Sequence, residues 1–354
     1  MSSTSTVSTA EPLRLIVIGL GHQSLDDHLP AINESDMIDL IGVADVDPAR
    51  AQEVGETYNV PYDVTTEGLL ARITIPDAAL IAVPHIEYLS IIEQLACRGV
   101  HIIKEKPFAV SMADAKDLIR VIKQHDVTLR VTLQRRFNPI YQSFEQLTRR
   151  IGKLYSIEGR YTINIARLDE GWRANRLSAG GGALIDLGYH YIDLIVWYFG
   201  LPDEVSCKTS TGNRMNQEYD VEDTALMTFS YNHSQGEAGI VLGSLIVSRV
   251  YPTRDELMVA YGSRGSVLVR RGEVTRYDTE GNSVECLQRK GGWPSALIDQ
   301  IEEFACQIRS CEHSGDIPCR YLEQIALVAA AYESARSGLP QDPYIYLREL
   351  LEEG

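Results

Sequence analysis

No run of the chain reaches the about 18 consecutive apolar residues that a membrane span requires, so no span and no membrane partner are expected. The first residues, MSSTSTVSTAEP, lack the basic start and the apolar core of a secretory signal, and residues 1–12 read as a flexible tail. Positive charge is in deficit. Lys and Arg number 33 against 49 Asp and Glu, a net charge of −16. Such a surface repels nucleic acid and anionic membranes over long range, while permitting a local basic pocket. Cysteine is sparse. The six, at positions 97, 207, 286, 306, 311 and 319, make no C-x-x-C pair, and no His stands at zinc-finger spacing. Cys311 and His313, two apart, are poor zinc geometry without further ligands, so no metal is expected. Unpaired thiols point to a reducing, cytoplasmic compartment.

What is present is ordinary for a folded chain: 44% apolar and 23% charged residues. A length of 354 residues predicts two domains. The first, residues 13–133, alternates apolar strands (13–20, 38–44, 78–83, 100–103, 127–133) with helices (28–37, 48–58, 86–98, 111–125). Continuous apolar strands of this kind are buried on both faces of a parallel sheet, and the alternation predicts a doubly wound α/β domain. After about residue 150 the strands become long and alternating (153–166, 223–231, 236–248, 256–261), which suits an antiparallel sheet with one packed face. Helices over 182–199, 295–310 and 319–337 complete a second α/β domain, residues 134–340. Residues 341–354 read as a C-terminal tail.

Three motifs carry chemistry. Gly19-Leu20-Gly21-His22-Gln23-Ser24 joins the first strand to the first helix. In a dinucleotide fingerprint the first glycine makes the turn, the second admits the pyrophosphate and the third lets the helix pack closely; here Ser24 holds the third place. Asp45 ends the second strand, where an acidic side chain accepts from the adenosine ribose and repels a 2′-phosphate. Arg50, a turn into the next helix, is the nearest basic residue. The bland alternative is a plain turn and a solvated Asp. Lys104-Glu105-Lys106-Pro107 ends the fourth strand, on the side of the sheet that lines a ligand crevice; its alternative is a solvated charged loop. The third motif is GGGALIDLGYHYID, residues 180–193. At 100° per residue Asp186, His190 and Asp193 form one polar stripe on an apolar helix. Either they are a stabilising i,i+4 arrangement, or Asp186 orients His190 as an acid–base. The glycines allow something to approach the helix start closely.

The order GLGHQS, Asp45, IAVP, KEKPFAV, QRRFNP and GGGALIDLGYH resembles the Gfo/Idh/MocA oxidoreductases over residues 13–337. That resemblance implies a Rossmann domain followed by an α/β domain on a large open sheet, with NAD or NADP exchanging a hydride with a secondary alcohol of a sugar, polyol or sugar nucleotide. It makes Lys106, Asp186 and His190 the catalytic set. It places Gly19, Gly21, His22, Gln23, Asp45, Arg50, Val83, Pro84, His85, Tyr88, Glu105 and Lys106 at the cofactor, with Glu105 near the nicotinamide ribose. Arg136, Trp172 and Arg173 join the catalytic three at the substrate. The chain departs from the family pattern at Ser24 and after Pro84, where His85 follows directly and Tyr88 stands at a position that is often His. Asp45 favours NAD over NADP. Two other readings share the fold: a glycoside hydrolase that uses NAD transiently, and a catalytically silent NAD-binding regulator. Arg160, Arg167, Arg173 and Arg176 cluster just before the glycines, which suits an anionic, nucleotide-linked sugar; pairing with Asp169, Glu170 or a neighbouring subunit is the alternative. An open sheet must cover its exposed face, so a homodimer or homotetramer is expected.

Overall fold

A computed structural model describes residues 11–232, 239–289, 292–310, 315 and 317–352. Most of the N-terminal tail, together with Cys311 and His313, lies outside the described residues. The first domain holds β1 (Leu13–Ile18), β2 (Ile38–Ala44), β3 (Tyr62–Asp63), β4 (Ala78–Ile81), β5 (His101–Lys104) and β6 (Leu129–Val131), paired in parallel in the order β3-β2-β1-β4-β5-β6. The order reverses between β1 and β4, so their carboxyl ends open a crevice where such sheets take ligands. The Pro48–Tyr58 helix starts as its sequence requires: Asp47 Oδ1 accepts from the amides of Ala49 and Arg50.

The second sheet has eight strands: β7 (Leu154–Asn164), β8 (Glu204–Ser210), β9 (Thr224–Tyr231), β10 (Val241–Ser248), β11 (Val250–Gly262), β12 (Gly265–Arg270), β13 (Glu273–Tyr277) and β14 (Ser283–Gln288). Their order is β14-β13-β12-β11-β7-β10-β9-β8, and β7–β10 is the one parallel pair among them. Alternation sorts the faces. Ile157, Met227, Leu245 and Met258 point into the core beneath the helices, whereas Leu226 and Leu242 stand on the open face, Leu242 at 61% exposure.

Two parts of the chain take up positions different from those expected. The helix Gly292–Ser310 belongs by sequence order to the second domain, yet it covers the first sheet: Ile301, Phe304 and Ala305 share a core with Leu13, Leu15, Leu29 and Ile32. Residues 341–354, read as a tail, instead contain the helix Pro343–Glu352. Leu347 and Leu350 on it are buried in the main core, and Lys116 Nζ meets Glu349 at 2.9 Å. That core is continuous from Ile16 and Ile81 to Ile192 and Val274, so the two domains share it. Among the described residues no helix is long and apolar enough to cross a membrane, and no three His, Cys, Asp or Glu side chains converge as a metal-ligand set.

Candidate active site

The turn after β1 is built for close approach. Gly19 has φ +87°, and a Cβ there would overlap the backbone oxygen of Ala82 and crowd Val83. A Cβ on Gly21 meets nothing within 4 Å. The helix that follows spans 22–34, π-helical over Ser24–His28 and α-helical over Leu29–Glu34. Ser24 replaces the third glycine without loss of packing: it is fully buried, and its hydroxyl donates back to the Gly19 carbonyl. His22 and Gln23 sit in the first turn, His22 in solvent and Gln23 against Asp27. Asp45 follows β2. Its Oδ2 accepts from the Leu20 amide at 2.7 Å and its Oδ1 from the Asp47 amide at 2.9 Å. Arg50 lies 3.5 Å from Asp45 Oδ1 and 3.4 Å from Asp47 Oδ2. A free-facing glycine, helix-start N–H groups that donate and a carboxylate at the end of β2 that accepts are the set that a dinucleotide's pyrophosphate and ribose require.

Lys104, Glu105 and Lys106 leave β5 in three directions. Lys104 is buried under the Tyr88 ring, 3.7 Å from its centroid, and donates to the carbonyls of Glu105, Pro107 and Phe108; burial pulls this ammonium down to about 7. It therefore ties the turn rather than facing the crevice. Glu105 Oε1 accepts from Thr132 Oγ1 and meets His28 Nε2, both at 2.7 Å. Burial raises the Glu105 carboxyl, and the His28 contact and the Lys106 charge outweigh it, leaving it below its ordinary value. Lys106 crosses to the other domain. Its Nζ donates to the Asp186 carbonyl at 2.8 Å and to Asp186 Oδ1 at 3.0 Å.

Asp186 is the hub of the site, but not as a partner of His190. Its Oδ2 accepts from Arg249 Nη2 at 2.9 Å and faces Arg173 Nε at 3.7 Å. Burial pushes the carboxyl up; Lys106, Arg249 and Arg173 together overcome that and hold it well below the ordinary carboxylate value. No hydrogen bond joins Asp186 to His190 among the described residues. Its oxygens are taken instead by Lys106 and Arg249. Residues Leu184–Gly188 form a π turn and α-helix resumes over Tyr189–Phe199. Asp193 is likewise committed elsewhere: it is buried and takes Arg136 Nη2 at 2.7 Å and Gln324 Nε2 at 2.6 Å. His190 remains half-buried, its ring 6.1 Å from that of Tyr161. Burial, with Arg135 and Lys106 adding repulsion, lowers its pKa well below 6.5.

The glycine triplet serves the protein itself. A Cβ on Gly180 would overlap Val110, one on Gly181 the Tyr332 hydroxyl, and one on Gly182 the Glu222 backbone. What approaches the helix start is this chain's own side chains and backbone.

The expected basic cluster does not converge. Arg160 pairs with Asp255, Arg167 with Asp169 and Glu170, and Arg176 with Glu222. Arg136, expected at the substrate, is committed to Asp193 and lies over the Trp197 ring. Arg173 alone of the cluster reaches Asp186, its guanidinium 4.3 Å from the Trp172 centroid. Trp172 in turn packs edge-on against His85 at 4.6 Å. His85, on the turn with Val83 and Pro84, donates from Nδ1 to the Ala179 carbonyl at 2.9 Å. Its pKa is pulled down to about 3 by burial, so the ring is neutral and Nε2 is an acceptor. His85 stacks on Tyr88 at 5.9 Å. Arg249 and His28 were not singled out from the sequence. Arg249 lies between β10 and β11, an isolated Arg with no motif around it, and only the sheet brings it to Asp186.

Comparison with known proteins matches residues 13–133 to the oxidoreductase family with an NAD-binding Rossmann fold, and residues 147–268 to the Gfo/Idh/MocA C-terminal domain. The rhizopine catabolism protein MocA of Rhizobium meliloti is 30% identical over 188 residues, 53% of this chain and 57% of that protein. The chain spans about half the length of the first curated relatives it matches. D-apiose dehydrogenase of Paraburkholderia graminis is 24% identical over 349 residues, 94% of this chain and 90% of that protein. Among solved structures, the WlbA dehydrogenase of Bordetella pertussis, crystallised with NADH and UDP-GlcNAcA, has a TM-score of 0.76 at 23% identity, covering 94% of this chain and 98% of the other. The two family matches cover more than half of the sequence, and the chain belongs to the Gfo/Idh/MocA oxidoreductases, its first domain an NAD-binding Rossmann fold.

Proposed function

We propose that this oxidoreductase removes a hydride from a secondary alcohol of a sugar, polyol or related carbohydrate, or returns one to the ketone. His190 handles the proton and Lys106 steadies the oxygen. The observation that carries the reading is the meeting of Lys106 and Asp186 across the domain boundary, at 3.0 Å, beside a neutral His190. NAD, when bound, accepts or supplies the hydride. The chain's residues do the rest. Lys106 spends two N–H bonds on Asp186, and an ammonium has a third to give to an alkoxide. His190, unprotonated at neutral pH, is free to take the hydroxyl proton. Asp186 acts here by aiming Lys106, not by fixing the tautomer of His190. The test is a panel of sugars and polyols followed at the nicotinamide absorbance in both directions. Turnover without net NAD consumption would instead mark the hydrolase reading, and no turnover with retained NAD binding the regulator.

The pH profile is a second expected outcome. Because the His190 pKa lies well below 6.5, kcat/KM for alcohol oxidation should stay level as pH falls through 6.5 and decline only well below it. An acid limb centred at or above 6.5 would assign the proton to another group.

NAD is the expected cofactor over NADP. Asp45 presents its charge where a 2′-phosphate would lie, and it holds Arg50 with Asp47. Binding isotherms should favour NADH in the natural protein. Asp45→Ala, which releases Arg50, should tighten NADPH. Unchanged NADPH affinity in that variant removes the argument. Leu226 and Leu242 on the open sheet face support pairing of two or four copies through it.

A further inference from the structure

Asp186 is one carboxylate among three cations. Lys106 Nζ lies at 3.0 Å, Arg249 Nη2 at 2.9 Å and Arg173 Nε at 3.7 Å, so three positive charges meet one negative. Arg176 and Glu222 balance one another, and Lys104, partly protonated near neutral pH, offsets Glu105 in part, so a net positive excess remains. His190, being neutral, adds nothing. The two guanidiniums differ in a telling way. Arg249 is 2% exposed, its Nη1 reaches the Arg173 carbonyl at 3.5 Å, and its Nε is buried with no hydrogen-bond partner among the described residues. A buried, charged donor left unmade is unfavourable, so an acceptor belongs beside it. The Arg173 side chain is 54% exposed, yet stacking on Trp172 holds it at the site.

From this geometry we propose that the substrate is a hydroxy acid: a sugar acid whose carboxylate sits one or two carbons from the carbon that is oxidised, bound by Arg173 and Arg249. The inference rests on the reading that Lys106 and His190 mark the reacting end. The position of the excess charge is what selects this class. It lies on Asp186 itself, next to Lys106, whereas the diphosphate of a nucleotide-linked sugar sits beyond the ring. Three of the four arginines expected to meet such a diphosphate, Arg160, Arg167 and Arg176, are already paired elsewhere. A carboxylate also matches the planar fork of a guanidinium. In the oxidation the hydroxyl proton goes to His190 and the hydride to NAD, and the carboxylate is unchanged.

The test compares D-gluconate and D-galactonate with sorbitol, galactitol and UDP-glucose, using the NAD-loaded enzyme. The acids should exceed the neutral polyols in kcat/KM by about 10- to 100-fold, chiefly through KM, as hydrogen bonds to a charged partner imply. Arg173→Gln, at a half-exposed position, should erase most of that ratio. Polyols or UDP-glucose turned over as well as the acids would overturn the proposal. Calorimetry of the same compounds with the NADH complex separates this from failure of the reaction assignment. If no alcohol is oxidised, the assignment falls; tighter binding of the acids, lost in Arg173→Gln, still supports the carboxylate site, and equal binding overturns it.

Discussion

Lys106→Met and His190→Ala should each lower turnover by about 10²–10⁴-fold, the usual effect of losing a positioned acid–base or charge-stabilising group, while the Kd for NADH changes little. Among the described residues, no hydrogen bond or ion pair joins either side chain to the Gly19–Ser24 turn or Asp45, where the pyrophosphate and adenosine ribose are expected. Among the described residues, Lys106 is bonded only to Asp186. Asp186 keeps Arg249 and Arg173 when that lysine is gone, so the fold should survive. Initial rates and NADH fluorescence titrations on the same preparations separate chemistry from cofactor binding. A His190→Ala enzyme that works at near-normal rate would remove histidine from the mechanism.

Asp186→Asn should be the most damaging of the conservative changes, and in stability as well as rate. The motif alone suggested that Asp186 merely orients His190, and therefore that this variant would be milder than His190→Ala. The geometry reverses that order. Lys106 and Arg249 are both largely buried and both end on this carboxylate. Neutralising it leaves two charges without their counter-ion, and breaking a buried pair in this way costs about 3–5 kcal/mol. The native carboxyl is held well below its ordinary value. Its contribution is therefore present above the unfolded pKa and is lost only as pH falls far into the acid range. Denaturant unfolding at pH 7 should show a large drop for Asp186→Asn and a small one for His190→Ala. An Asp186→Asn protein as stable as the natural one would mean that the three cations do not depend on it.

The alternating apolar strands, the G-x-G-x-x-S turn and Asp47-Pro48 made the Rossmann half legible, because each is a local rule: burial on both faces, a positive φ, a cap. Of the second sheet, the sequence showed β7, β9, β10 and β11 and missed β8, β12, β13 and β14. β14 carries no buried residue, so it has no hydrophobic alternation to read, while β8 and β12 bury only two residues each, Val205 with Cys207 and Val267 with Val269. The terminal helix Pro343–Glu352 was missed because its apolar residues gain their meaning from the core that Leu347 and Leu350 enter.

The sequence by itself pointed to the family and the cofactor turn and singled out Lys106, Asp186 and His190 as candidates, since the residue types and spacings within each motif are contiguous along the chain. Tertiary structure alone decided who partners whom. Lys106 and Arg249, not His190, took the Asp186 carboxylate, and strand pairing delivered that arginine from 63 positions away. Ion pairs dissolved the apparent basic cluster: distant for Arg160 with Asp255 and Arg176 with Glu222, and local for Arg167 with Asp169 and Glu170, the pairing the sequence had offered as the alternative. The three glycines, which read as room for a ligand, make room for Val110, Tyr332 and Glu222. A side chain's type limits the bonds it can make, but its neighbours in space decide which of them form, and those neighbours are set only when the chain has folded.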